Sequence, residues 1–172
     1  GNTYSRLDTR ELIEHGKAAR GKGAIETQTL LNHKTAIELL VENIDSAEFN
    51  RYTLMNLHSA LAENLLPNPA DEGRIRQHAV DISKSIYRPL STAQQIEEVL
   101  DEVLSKANQI HDPFEQSFFM MVHLPYLQPF ADINKRTSRL AANLPLFRGN
   151  LCPLTFLDVP EQAYSRSTLG VY

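Results

Sequence analysis

The sequence predicts an all-α domain carrying one small β-hairpin, and three observations support that class. Apolar residues recur every three or four positions along most of the chain, capping residues open those stretches, and Pro or Gly closes them. Only residues 73–89 depart from this, with apolar and polar residues alternating. With 172 residues, 42% hydrophobic and 22% charged, one domain with a real core is the default.

Taken in order, Asp8-Thr-Arg-Glu11 has capping-box spacing ahead of Leu12 and Ile13, with Gly16 as the stop. From Ala24, the stripe Leu30, Ile37, Leu40, Val41 and Ile44 predicts a long amphipathic helix ending near Asp45. Asn50 caps the next helix, whose Leu54, Leu57, Leu61 and Leu65 run until Pro67 and Pro69. Ala79-Val-Asp-Ile82 alternates, Ser83-Lys-Ser85 offers a turn, and Ile86 and Tyr87 favour extended chain, which together predict the hairpin. Thr92-Ala-Gln-Gln95 opens a strongly striped helix through Ala107. Asp112-Pro113 starts an almost wholly apolar one, which places it centrally, and Pro125 is expected to end it. A helix beginning near Asn134 is kinked or shortened at Pro145, Leu154-Thr-Phe156 is extended, and Pro160 starts a last helix.

Charge and cysteine usage narrow the function. The balance 17 − 21 = −4, with no long basic run, excludes the electrostatic footprint of a duplex-binding segment. Cys152 is alone, so there is no internal disulfide framework, and no stretch approaches a membrane span or a signal peptide. A cytoplasmic setting is expected. The chain begins without Met and stops at Tyr172 inside a continuing helix, so residues 1–172 are read as one domain of a longer protein.

The chemistry concentrates in Gln128-Pro-Phe-Ala-Asp-Ile-Asn-Lys-Arg-Thr-Ser-Arg139. With Asn134 as N-cap, free N–H groups and the positive end of the helix dipole face the preceding loop. Arg136 and Arg139, three residues apart, share a helix face and can fork onto the same anion. Lys135 adds a third cation. Cations at a helix start oppose the dipole, and an anionic ligand would compensate that local cost. Asp132 in the loop suits Mg²⁺ bridging phosphate oxygens. A Mg-nucleotide or phosphorylated ligand follows. The bland alternative is a solvated helix start whose cations pair with carboxylates.

The same stretch resembles the Fic/Doc signature, written H-x-F-x-D/E-G-N-G-R-x-x-R in its adenylyltransferase branch. Phe130, Asp132, Asn134, Arg136 and Arg139 match it. Gln128 stands in place of the catalytic His, Ile133 in place of the first Gly, and Lys135 in place of the second. Asn134-Lys-Arg-Thr137 resembles the Doc branch, whose members phosphorylate a protein hydroxyl, and the whole motif suggests a variant bacterial subgroup. The resemblance implies a Fic-type helical fold and a site for ATP and Mg²⁺ built from Asn134, Lys135, Arg136, Arg139 and Asp132. It further implies a flap at Asp81, Ile82, Ser83, Lys84 and Ser85 that holds a target-protein segment by main-chain pairing. The implied reaction is AMP transfer to a protein hydroxyl, with Doc-like phosphotransfer or a catalytically silent nucleotide-sensing module as alternatives. The fold commonly self-associates.

Gln128 has no titratable state near neutral pH, and losing a general base costs about 10² to 10⁴ in rate. It either orients a hydroxyl or satisfies nearby backbone. His123 is read as a packing residue, and His15, His33, His58, His78 and His111 have no ligand spacing. Ile133, lacking glycine's freedom, is expected to give up any positive φ and reshape the loop. Related proteins carry an inhibitory Glu that pairs with the last signature Arg. Gly1-Asn2 resembles the tail of that motif with its Glu just missing, while Glu26 reads as an exposed helix residue.

Overall fold

In a computed structural model, which describes residues 3–83, 85–156 and 159–171, eight α-helices are present. They are α1 (Arg6–His15), α2 (Ala24–Glu42), α3 (Arg51–Ala62), α4 (Ala93–Gln109), α5 (Pro113–Leu127), α6 (Asn134–Ala141), α7 (Leu144–Arg148) and α8 (Glu161–Val171). A 3₁₀ turn at Pro69–Asp71 follows α3. None of these helices is long and apolar enough to cross a membrane.

Helix α5 is central, as its apolar composition requires: it packs against α4, α6, α7 and α8, while α3 joins α2 to α6. Its Met120 and Leu124 are fully buried beside Leu54, Leu57 and Leu61 of α3 and Ile96 and Leu100 of α4. One contiguous core therefore supports both sides of the 128–133 loop. On the surface, Arg51 at the start of α3 forks onto Asp101 and Glu97 of α4 and pins those helices together.

Four expectations are corrected. Residues 77–91 form no strand among those described: Ser85 N–H to Ile82 O is the backbone bond within the stretch, so Asp81, Ile82, Ser83 and Ser85 lie in an irregular loop. Lys84 lies outside the described residues. An isolated two-stranded ribbon is marginal in water, and Ile86 is 98% exposed rather than packed on a partner face. Helix α1 starts one turn earlier than Asp8, because Ser5 and Asp8 form the reciprocal capping box. Pro125 does not end α5. It sits inside the last turn, which closes at Gln128 N–H to Leu124 O, so the missing proline N–H loses only one terminal bond. The fourth correction, at Ile133 and Asn134, belongs to the site.

Candidate functional site

The loop between α5 and α6 is bracketed by two left-handed residues, Gln128 (φ 51) and Ile133 (φ 62). Ile133, not Asn134, occupies the cap position of α6, and it adopts the positive φ it was expected to abandon. Such a conformation costs a β-branched residue roughly 1–3 kcal/mol. Burial of the Ile133 side chain offsets this, since only 5% of the residue is exposed.

Asn134 is the first helical residue and is buried, and its amide turns back into the loop. Oδ1 accepts the Phe130 N–H at 2.9 Å, while Nδ2 donates to Phe130 O at 2.9 Å and to Gln128 Oε1 at 3.0 Å. It is the internal brace of the loop rather than a ligand for the α6 N–H groups. Gln128 Nε2 donates to Pro125 O at 2.5 Å, so both ends of its amide are engaged by the protein.

Two residues invisible to the motif complete the support. His58 of α3 stacks on Phe130, centroids 3.9 Å apart and nearly parallel. Its Nδ1 accepts the Gly73 N–H at 3.0 Å, which places the ring proton on Nε2, 3.1 Å from Asp132 O. Burial pushes the imidazole pKa down to about 4, keeping it neutral. Gly73 has φ +68, and a Cβ there would stand 2.9 Å from that of Ser59 and 3.1 Å from Met55 O, so only glycine delivers this N–H. Arg76, 1% exposed, donates from Nε to Gln128 O at 2.7 Å and from its backbone N–H to Pro129 O at 3.0 Å. His58 lay on the buried leucine stripe of α3, which was its one sequence signal. Arg76 had none.

The cations at the start of α6 keep donors without partners. Arg136 Nη1 and Arg139 Nε are buried and have no hydrogen-bond partner. Among the described residues neither arginine nor Lys135 forms an ion pair, so no described carboxylate neutralises them. The two guanidinium groups occupy one corner. After burial, their charges are what hold the His33 imidazole on α2 below its ordinary range. The Arg139 guanidinium carbon lies 3.9 Å from the Tyr164 ring centre and 4.6 Å from that of Phe156, and Lys135 Nζ is 5.5 Å from Tyr164. Phe156, and Tyr164 of α8, thus orient the cations through their ring faces.

Asp132 is exposed; its Oδ1 accepts the N–H of Ile133 at 2.6 Å. No three His, Cys, Asp or Glu side chains converge on a metal position among the described residues. A lone solvent-facing carboxylate fits Mg²⁺, which keeps several waters and takes its other ligands from phosphates. His123 donates from Nδ1 to Phe119 O and stacks on that ring, which makes it a packing residue. Glu26 is bonded by the backbone N–H and hydroxyl of Thr3, which holds its carboxyl below the usual range, so it anchors the N-terminal segment. Gly1 and Asn2 lie outside the described residues. A groove of about 530 Å³ between residues 87–90, α4 and α5 is lined by Tyr87, Leu90, Val103, Phe119 and Tyr126, and Lys135, Arg136 and Arg139 are not among its lining residues.

A helical domain whose braced loop runs into a helix start carrying two half-buried arginines, with one outward carboxylate beside them, defines the class of protein. The model of the family described as Fic/DOC family matches residues 48–146, more than half of the chain, and the chain belongs to that family. It is 27% identical over 177 residues to protein adenylyltransferase fic-1 from Caenorhabditis elegans, covering 99% of this chain and 34% of that protein. It is 28% identical to protein adenylyltransferase Fic from Nematostella vectensis, covering 90% and 36%. The chain therefore spans about a third of these relatives' length. The fold matches a solved fragment of C. elegans Fic-1 (TM-score 0.77, 23% identity, 99% of this chain and 52% of that one). It also matches a Fic domain containing signaling protein from Bacteroides thetaiotaomicron (TM-score 0.81, 15% identity, 99% and 65%).

Proposed function

We propose that this chain is a Fic-type domain that binds ATP with Mg²⁺ and transfers AMP to a hydroxyl of a target protein, slowed by Gln128. The observation that carries the reading is the pair of buried, unpartnered guanidinium nitrogens on Arg136 and Arg139. Such donors are costly to leave unmet, and a polyphosphate supplies the acceptors. Arg136, Arg139 and Lys135 hold phosphate oxygens at the start of α6, and Asp132 holds the metal. Bound Mg²⁺ neutralises charge on the transferring phosphate and its leaving group. The target oxygen bonds to the α-phosphorus, the bond to the β-phosphate oxygen breaks, and pyrophosphate leaves. Gln128 cannot accept the hydroxyl proton, which passes to water. Positioning and charge neutralisation remain, and they are the larger part of phosphoryl-type catalysis. The exposed, free Cys152 suits a reducing cytoplasm.

A second reading is a catalytically silent nucleotide sensor. It is favoured by the occupied Gln128 amide, whose two ends are bonded within the chain. One experiment separates the readings: the protein is incubated with Mg²⁺, cell lysate and ATP labelled at either the α or the γ phosphate. Protein bands labelled from α support adenylylation, and label from γ alone means Doc-like phosphotransfer. No label, with ATP binding measured by calorimetry, means a sensor. Absence of binding refutes the nucleotide site.

A further inference from the structure

We infer that Arg76 is a positioning residue that fixes the 78–90 loop against residue 128. Its consequence for the target hydroxyl rests on the transferase reading above. Arg76 is among the largest fully buried side chains and has no carboxylate partner among the described residues. Its guanidinium reaches three carbonyls instead. Nη1 donates to His78 O at 2.7 Å and Nη2 to Leu90 O at 2.6 Å, the two ends of the loop, while Nε donates to Gln128 O at 2.7 Å.

Burying a charge without a counter-charge is unfavourable, and burial lowers the Arg76 pKa accordingly. A fold needing only volume there would use leucine. What the fork supplies is geometry: five N–H donors in one rigid plane can tie three separate backbone points together. Among its described residues the loop it ties shows no ladder, the backbone bond within it being Ser85 N–H to Ile82 O. The stack of Tyr87 on Tyr126, centroids 4.5 Å apart, also holds it to the body. Arg76 therefore does for this loop what strand pairing would do for a hairpin. It also holds the carbonyl of Gln128 in its left-handed turn, so a single group sets the spacing between the loop and the position facing a target hydroxyl.

The test uses two nitroxide pairs read by pulsed dipolar spectroscopy. Cys152, exposed and the chain's single cysteine, is paired with Ile86→Cys at a 98% exposed loop position. In a second sample it is paired with Glu98→Cys on the exposed face of α4. Introducing Arg76→Gln is expected to broaden the 86/152 distance distribution at least twofold and to leave the 98/152 pair unchanged. Arg76→Lys, which keeps the charge but not the three-way fork, is expected to be intermediate. Two unchanged pairs would overturn the inference, and so would equal broadening of both pairs, which would make Arg76 a residue of the general core. In a Gln128→His background, Arg76→Gln is expected to raise the KM for target protein at least tenfold while the KM for ATP stays within twofold; a KM for ATP that rises in step would overturn it. If Gln128→His labels no protein, the transferase reading fails, and the distances alone decide the role of Arg76.

Discussion

Replacing Asn134 by alanine tests whether the phosphate loop is braced from within. The substitution removes three bonds: the acceptor for the Phe130 N–H, the donor to Phe130 O and the donor to Gln128 Oε1. Phe130 is fully buried, so water cannot take over its two backbone groups. Each orphaned buried group costs about 1–3 kcal/mol, and helix propensity returns well under 1 kcal/mol for alanine at 134. A net loss of about 3 kcal/mol is expected. For a domain of this length, that corresponds to a Tm lowered by roughly 6–12 °C. Urea unfolding at neutral pH, with the m-value held in common, measures the difference directly. Asn134→Asp separates the contributions: it keeps an acceptor for the Phe130 N–H and gains from the helix dipole, so it should lose less stability than alanine. ATP affinity should nevertheless fall, because a negative charge now faces the phosphates. A loss below about 0.5 kcal/mol for Asn134→Ala would refute the brace and return Asn134 to the role of an ordinary helix-start residue.

Other perturbations address the remaining parts of the site. Arg136→Ala and Arg139→Ala should each weaken ATP binding by about 10- to 100-fold, the equivalent of one charge-assisted bond. Arg136→Ala should do so without lowering Tm, because it removes an unmet donor, whereas Arg139→Ala should also lower Tm slightly, because it removes the contacts with Tyr164 and Phe156; calorimetry and thermal melts on the same samples check both halves. Gln128→His should raise label transfer from α-labelled ATP by about 10² to 10⁴, and an unchanged rate would locate the defect elsewhere. Because the folded His58 pKa is depressed from 6.5 to about 4, its contribution to folding is complete above about pH 6.5 and declines as pH falls towards 4, by about 3 kcal/mol in all. Subtracting the unfolding free energies of His58→Gln measured at the same pH values isolates that slope, and a flat difference would contradict it. Phe130→Ala, at the buried centre of the stack, should cost about 3–5 kcal/mol in the same urea assay.

Local chemistry was enough to announce seven of the eight helices, Pro145 pointing to a kink or shortening where α7 forms. The spacing of Leu54, Leu57 and Leu61 encodes a buried face directly, and Arg136 with Arg139 at a helix start stands against the dipole rule. Boundaries went astray where two local signals competed. Ser5 won the first cap from Asp8, and Pro125 proved tolerable in a closing turn. The hairpin failed because alternation over a few residues states a preference that only a partner surface can enforce, and here an arginine fork takes the partner's place.

Ile133 and Asn134 exchanged roles for a different reason. A positive φ at isoleucine is unfavourable in any short peptide and persists only because buried neighbours hold it there. What holds the loop comes from far along the chain: His58 acts across 74 residues and Arg76 across 52. Residue identity thus determined that three cations and one carboxylate gather around one helix start. Closure of those distant contacts decided which backbone groups of the loop are bonded within the chain, because hydrogen-bond satisfaction inside a core is settled only once every neighbour is in place.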